Sequence, residues 1–247
     1  MRLSGRTTAL LAVVAVLTGC GSSAPPHTLA VFAAASLRTT FTDLSAAFTG
    51  ANPGAHVELT FAGSADLLSQ LTQGARGDVF ATADTATMDR ADRAGLLAGP
   101  PIAFASNTLT IVVARGNPQG IKGFRDLPRV SLVMCAAQVP CGAAVARMEQ
   151  NTGVRLNPVS EEPSVTDVLN KVTSGQADAG LVYVTDARSA GDAVSAVAFP
   201  EAADAVNTYQ VAVLNDATDP ALARRFVDLV TGPAGRHVLA AAGFGPP

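Results

Sequence analysis

Apolar residues fall along this chain in short β-rich runs that alternate with stretches of helical period. The first run is Leu29-Ala30-Val31-Phe32, and it passes through the small residues Ala33-Ala34-Ala35 to Ser36. From there the apolar positions are Leu37, Phe41, Leu44 and Phe48, spaced four, three and four apart, which predicts a helix with one buried face. Ser36 is expected at the N-cap of that helix. A second copy follows, with the strand Val57-Glu58-Leu59-Thr60-Phe61, the small pair Ala62-Gly63, then Ser64 and the helical Ala65-Asp66-Leu67-Leu68-Ser69-Gln70-Leu71. Val79-Phe80-Ala81-Thr82 reads as a buried strand feeding a helix faced by Met88, Ala91 and Leu96 and stopped at Pro100-Pro101. Strand and helix in alternation predict an α/β fold with a parallel sheet.

Beyond Phe104 the pattern changes. Thr108 to Ala114 is a long β-rich run, and Tyr209 to Leu214 is another. Between them lies a second α/β set: a short helix around Phe124, the strand Val130–Met134, a helix opening near Cys141, a helix from Val165 to Thr173 and the strand Ala179–Val184. Two long strands bracketing a middle block suggest a chain that crosses to a second lobe and returns. Helices near Ala221–Val230 and Ala234–Ala241 complete the chain.

The start of the chain has a different character. Arg2 and Arg6 precede a short apolar run, Thr7 to Leu17, too short for a permanent membrane span and typical of a secretory signal. It ends in Leu17-Thr18-Gly19-Cys20, which resembles a bacterial lipobox with Cys20 as the lipidated residue. Gly21 to Pro26 reads as a flexible tether. The expected mature protein therefore lies outside the cytoplasm, held to the membrane surface by acyl chains. Segments 1–19 and 20–27 are assigned to signal and tether.

The chain carries 17 basic and 20 acidic residues, a mild acidic balance with no basic, aromatic-studded patch for nucleic acid. Ten Phe, two Tyr and no Trp give little material for a sugar site built on stacked rings. His27, His56 and His237 are scattered, and no zinc spacing, nucleophile elbow, phosphate loop or dinucleotide fingerprint is present. Asp78 reads as a turn residue, Asp84 as a helix cap, and Glu161-Glu162 as a solvated loop. Cys135 and Cys141 enclose five residues. Outside the cytoplasm they can pair and fix that loop, or remain two thiols, and a thiol count separates the two.

Two serines at strand-to-helix turns place two helix N-termini at one sheet edge, an arrangement suited to an anion. Taken singly, each is equally an ordinary cap. An extracellular α/β serine hydrolase would need a base beside Ser36 or Ser64, and no histidine or metal cluster supplies one.

Taken together, Val31-Phe32-Ala33-Ala34-Ala35-Ser36-Leu37, Phe61-Ala62-Gly63-Ser64, Gly77 to Asp84, Gly180 to Ala187 and the ending Ala242-Gly243-Phe244 are similar to the molybdate-binding proteins of bacterial ABC importers. The similarity spans Leu29 to Phe244 in order. It implies a type II periplasmic-binding-protein fold, two α/β lobes on a two-strand hinge with an oxyanion in the cleft. It places lobe I at 28–105 plus 209–247 and lobe II at 106–208. Its implied ligands are the hydroxyls of Ser36 and Ser64, backbone amides at Cys141 (where Ala is usual) and Val165, and the Tyr183 hydroxyl. Molybdate, with tungstate, would be held as an oxyanion through these residues alone, with no cofactor and no catalysis. The implied partner is the membrane permease of an ABC importer, and a monomer is expected. Sulfate, with the same charge and geometry, is the alternative ligand.

Overall fold

The structure, a computed structural model, describes residues 27–247, so the signal segment and Cys20 lie outside the described residues. In chain order its first part runs β1 (His27–Ala34), α1 (Arg38–Ala51), β2 (Ala55–Ala62), α2 (Ser64–Thr72), β3 (Val79–Thr82), α3 (Thr85–Arg93) and β4 (Ile102–Asn107). The middle part is β5 (Leu109–Ala114), β6 (Leu132–Cys135), α4 (Pro140–Thr152), β7 (Ser160–Glu162), α5 (Val165–Thr173), β8 (Ala179–Tyr183), α6 (Val184–Ala190) and β9 (Val194–Val197). The chain closes with β10 (Asn207–Val213), α7 (Pro220–Thr231) and α8 (Pro233–Ala242).

These strands form two five-stranded sheets, ordered β2-β1-β3-β10-β4 and β7-β6-β8-β5-β9. Strands joined through helices pair in parallel: β1 with β2 at Leu29↔Val57 and with β3 at Val31↔Val79, and β6 with β7 and β8. The parallel pairing expected from strand–helix alternation holds for these strands, while the connecting strands run the other way. β10 runs antiparallel to β3 and β4, and β5 antiparallel to β8 and β9. A chain that leaves a sheet and returns at its own end must lay its last strand against the others.

The crossing itself differs from the sequence reading in one respect. The run read from Thr108 to Ala114 is β5 of the second sheet, and it is preceded by a strand the sequence reading lacks, β4 of the first sheet, with the chain switching sheets at Thr108. The long run at Leu109–Ala114 is thus an interior strand of the second sheet, and the strand that pairs with β10 is β4.

Each sheet is covered by the helices that its own sequence period requires. Leu37, Phe41, Leu44 and Phe48 are all buried, and Phe41 and Phe48 pack edge-on to Phe226 of α7 at 6.0 and 5.3 Å between ring centroids. Phe104, Tyr209 and Phe244 continue this aromatic cluster toward the crossing strands. On the opposite face of the first sheet, Phe32 and Phe80 pack with Leu67, Leu68, Leu71 and Met88 from α2 and α3. Burying a side chain of this size contributes roughly 1.5–3 kcal/mol. Among the described residues no helix is long and apolar enough to cross a membrane.

Candidate functional site

Five helices or helical turns begin at the facing ends of the two sheets, and the five expected ligand residues lie in or beside their first turns. Ser36 lies within a single 3-10 turn, Ala35–Leu37, that precedes α1. It is therefore not the N-cap expected from the sequence. Its hydroxyl makes no capping bond and lies 2.9 Å from the Tyr209 hydroxyl. The three alanines before it allow this tight turn directly off β1. Ser64 is the first residue of α2, with Gly63 in the cap position, and its hydroxyl accepts from the Ala83 amide at 3.1 Å.

The other three come from the second sheet. Cys141 follows Pro140 at the start of α4, where proline loses nothing because that turn has no earlier carbonyl to bond. Cys141 is joined to Cys135 at the end of β6 by a disulfide spanning 5.7 Å between Cα atoms. The turn between them is tight enough that a Cβ at Gly142 would lie 2.0 Å from the Ala136 carbonyl oxygen. Val165 opens α5, capped by Ser164, whose hydroxyl accepts from the Asp167 amide at 3.3 Å and donates to its carboxylate at 2.6 Å. Tyr183 ends β8 and is fully buried.

Ser36, Ser64, Cys141, Val165 and Tyr183 all line one small cavity between the sheets. The remaining walls are Ala34, Ala35, Gly63, Ala83, Val139, Pro140, Pro163 and Ser164, so among the described residues no charged side chain lines it. The space is small, far below what a sugar or amino acid requires. A larger surface groove of about 740 Å³ lies elsewhere on the first sheet, around Arg76, Leu96 and Asn215, and includes none of these five residues.

The cavity is a set of neutral donors. The amides of Cys141 and Val165 belong to first helical turns and have no carbonyl one turn back. The dipoles of their helices add positive potential at the same end. Burial pushes the Tyr183 hydroxyl well above the ordinary tyrosine range, with nearby Tyr209 and acidic groups adding to the effect, and burial also raises Tyr209. Both phenols therefore keep their protons and can donate.

Closure of the cavity depends on Gly63. A Cβ there would sit 2.1 Å from the Pro163 carbonyl oxygen, so the turn before α2 touches the turn before α5 across the gap between the sheets. Only a residue without a side chain permits that approach.

Several supporting residues carried no sequence signal. Tyr209 reaches Ser36 from 173 positions away along the chain. Asn207, at the return strand, is 2 % exposed and bonds to groups from both sheets. Glu162 corrects the reading of a solvated loop. Burial pushes its carboxyl up, but hydrogen bonds from Lys171 and Ser160 outweigh that and hold it below the usual range. The pair anchors β7 beneath the turn that presents Val165. Asp84 caps α3 by accepting from the Thr87 amide, as expected, whereas Asp78 is a buried tie accepting from the Ala30 amide at 2.7 Å and from Thr218.

Two mixed sheets facing each other across a donor-lined cavity define the architecture of a binding protein with its ligand between two lobes. Residues 29–245 match the family of bacterial extracellular solute-binding proteins, and the chain belongs to that family. It is 53% identical over 261 aligned positions to the molybdate-binding protein ModA of Mycobacterium tuberculosis (strain ATCC 25618 / H37Rv), with 100% of both chains covered. Among solved structures it resembles the periplasmic molybdate-binding protein of Azotobacter vinelandii, with a TM-score of 0.74, 23% identity, and 89% and 99% of the two chains covered. It also resembles the sulfate-binding protein SubI of Mycobacterium tuberculosis H37Rv, with a TM-score of 0.78, 19% identity, and 89% and 87% covered. At those identities the structural likeness speaks for the fold.

Proposed function

We propose that this protein captures molybdate outside the cytoplasm, with tungstate as an equivalent ligand, and delivers it to the membrane permease of an ABC importer. The observation that carries the proposal is the convergence of Ser36, Ser64, Cys141, Val165 and Tyr183 on one cavity with no charged wall. Identity of 53% to a full-length molybdate-binding relative supports the choice of ligand.

The chemistry follows from the donor set. A dianion in a closed cavity is costly unless every oxygen is bonded. Two serine hydroxyls, two helix-start amides and a tyrosine hydroxyl can supply bonds to a charged acceptor, which are stronger than neutral ones. Because they come from both sheets, the ligand favours the closed arrangement of the lobes over an open one. A lipid on Cys20 would keep the protein, acting as a monomer, close to its permease, and no cofactor is needed. Neither Ser36 nor Ser64 bonds to a histidine or carboxylate, so the cavity offers no base to make either a nucleophile.

Sulfate remains the second reading, since the sulfate-binding SubI shares the fold as closely as the molybdate binder does. Calorimetric titration of the purified protein with each anion tests the choice. Saturable one-to-one binding of molybdate, with sulfate at least about a hundredfold weaker (about 2.8 kcal/mol), is expected. Tighter binding of sulfate would overturn the molybdate assignment.

A further inference from the structure

We infer that Asn207 is a positioning residue for this cavity: its side-chain amide sets the direction in which the Tyr183 hydroxyl points its hydrogen. The inference rests on the oxyanion-binding reading above and adds a residue to it.

Asn207 sits at the start of β10, where the chain re-enters the first sheet, and is almost fully buried. Its Nδ2 lies 2.9 Å from the Ala83 carbonyl oxygen, 3.3 Å from the Pro140 carbonyl oxygen and 2.9 Å from the Tyr183 hydroxyl. Its Oδ1 accepts from the Arg147 guanidinium at 3.1 Å. The orientation of the amide is fixed by these partners. Turning it over would set Oδ1 against two carbonyl oxygens and the NH₂ against a guanidinium, which can only donate.

The consequence for Tyr183 is directional. An amide nitrogen has no lone pair to offer, so between Nδ2 and the phenol the phenol must accept. Its own hydrogen is directed away from Asn207, where the acceptors are a ligand in the cavity that Tyr183 lines and the Tyr209 hydroxyl. A neutral phenol left free could present either a hydrogen or a lone pair to the ligand, and a lone pair would repel an anion. The same amide also ties the wall at Ala83 to the start of α4 at Pro140, which holds the two sides of the cavity in one register.

A purely structural role and a positioning role differ in their dependence on Tyr183. The experiment is a calorimetric titration of molybdate into four full-length proteins: wild type, Asn207→Asp, Tyr183→Phe and the double variant. Asp is nearly isosteric and still accepts from Arg147, but it replaces the donor with an acceptor, so the Tyr183 hydrogen turns toward it. With Tyr183 present, Asn207→Asp is expected to weaken molybdate binding by about 10- to 150-fold beyond its effect in the Tyr183→Phe background, the worth of one hydrogen bond to a charged acceptor. Any repulsion from the added charge acts in both backgrounds and cancels in the comparison. Equal losses in the two backgrounds would overturn the inference and leave Asn207 as packing. Tyr183→Phe binding as tightly as wild type would overturn it too, while molybdate capture itself stood. No binding by wild type would instead remove the reading on which it rests. Ligand-free melting follows folding of each variant, and Asn207→Leu supplies the same comparison if the Asp variant does not fold.

Discussion

The two serines make the most direct claims at the scale of single residues. Each hydroxyl lies at the wall of a cavity that has no cation, so each would contribute a hydrogen bond to the anion without help from a charge. Ser36→Ala and Ser64→Ala are each expected to weaken molybdate binding by about 1.5–3 kcal/mol. Titration of the two variants checks this, and unchanged affinity in both would remove them from the site. Ser36 and Ser64 were legible because their position at a strand-to-helix turn is written in the local sequence, small residues, then a hydroxyl, then a helical period, whereas Cys141, Val165 and Tyr183 were reached only through the family resemblance. Tyr209 and Asn207 were reached by neither. Tyr209 opens a β-rich run whose alternation says which residues are buried but not what they meet, Asn207 lies just before that run, and the partners of both come from distant segments. Ser36 shows the same limit in reverse, since a turn was foreseen but its hydroxyl was given to a cap instead of to Tyr209.

Elements place these residues, and two devices control that placement. The Cys135–Cys141 disulfide closes a short loop against the start of α4. Loop-closure entropy for a ring of this size is worth about 2 kcal/mol, so reductant is expected to lower the melting temperature by roughly 4–8 °C. A melt with and without reductant measures it, and equal melting temperatures would contradict the role. The second device is the contact of Gly63 with the Pro163 carbonyl. An alanine there must push the two turns apart, and overpacking of this kind costs about 1–3 kcal/mol. If the lobes part at this contact when the ligand leaves, Gly63→Ala should weaken molybdate binding by about 5- to 150-fold while leaving the ligand-free melt close to wild type. A variant that binds normally would mean that the lobes do not meet at this point. Element types were largely readable from hydrophobic period, as the buried face of α1 and the limits of α5 illustrate. β4 was hidden, because its six residues, Ile102–Asn107, hold one β-branched residue and end in the polar pair Ser106-Asn107. Which sheet β4 and β5 each join is settled only by packing.

For the whole molecule, stability should depend on pH through a buried carboxyl. Asp186, on α6 directly after Tyr183, is buried, and burial raises its carboxyl to about 7, although a hydrogen bond from the Tyr183 amide pulls the other way. A raised carboxyl means that the folded state holds its proton more tightly than the unfolded chain. The contribution to stability is full below the ordinary value of 3.8 and is lost as pH rises to about 7. Between those limits the slope approaches about 1.4 kcal/mol per pH unit. Denaturant unfolding between pH 4 and 8 should show this fall, and Asp186→Asn should flatten it; an unchanged slope in the variant would assign the dependence elsewhere.

The proposed capture rests on one anion held between two lobes. The most direct test is a thermal melt of the protein with molybdate, tungstate, sulfate, phosphate or no addition. A ligand present at a hundred times its dissociation constant adds about 2.7 kcal/mol, which for a chain of this size raises the melting temperature by roughly 5–10 °C. Molybdate and tungstate should produce that rise, and sulfate and phosphate should not. A rise with sulfate alone would keep the cavity and change its ligand, and no rise with any of the four would contradict the account.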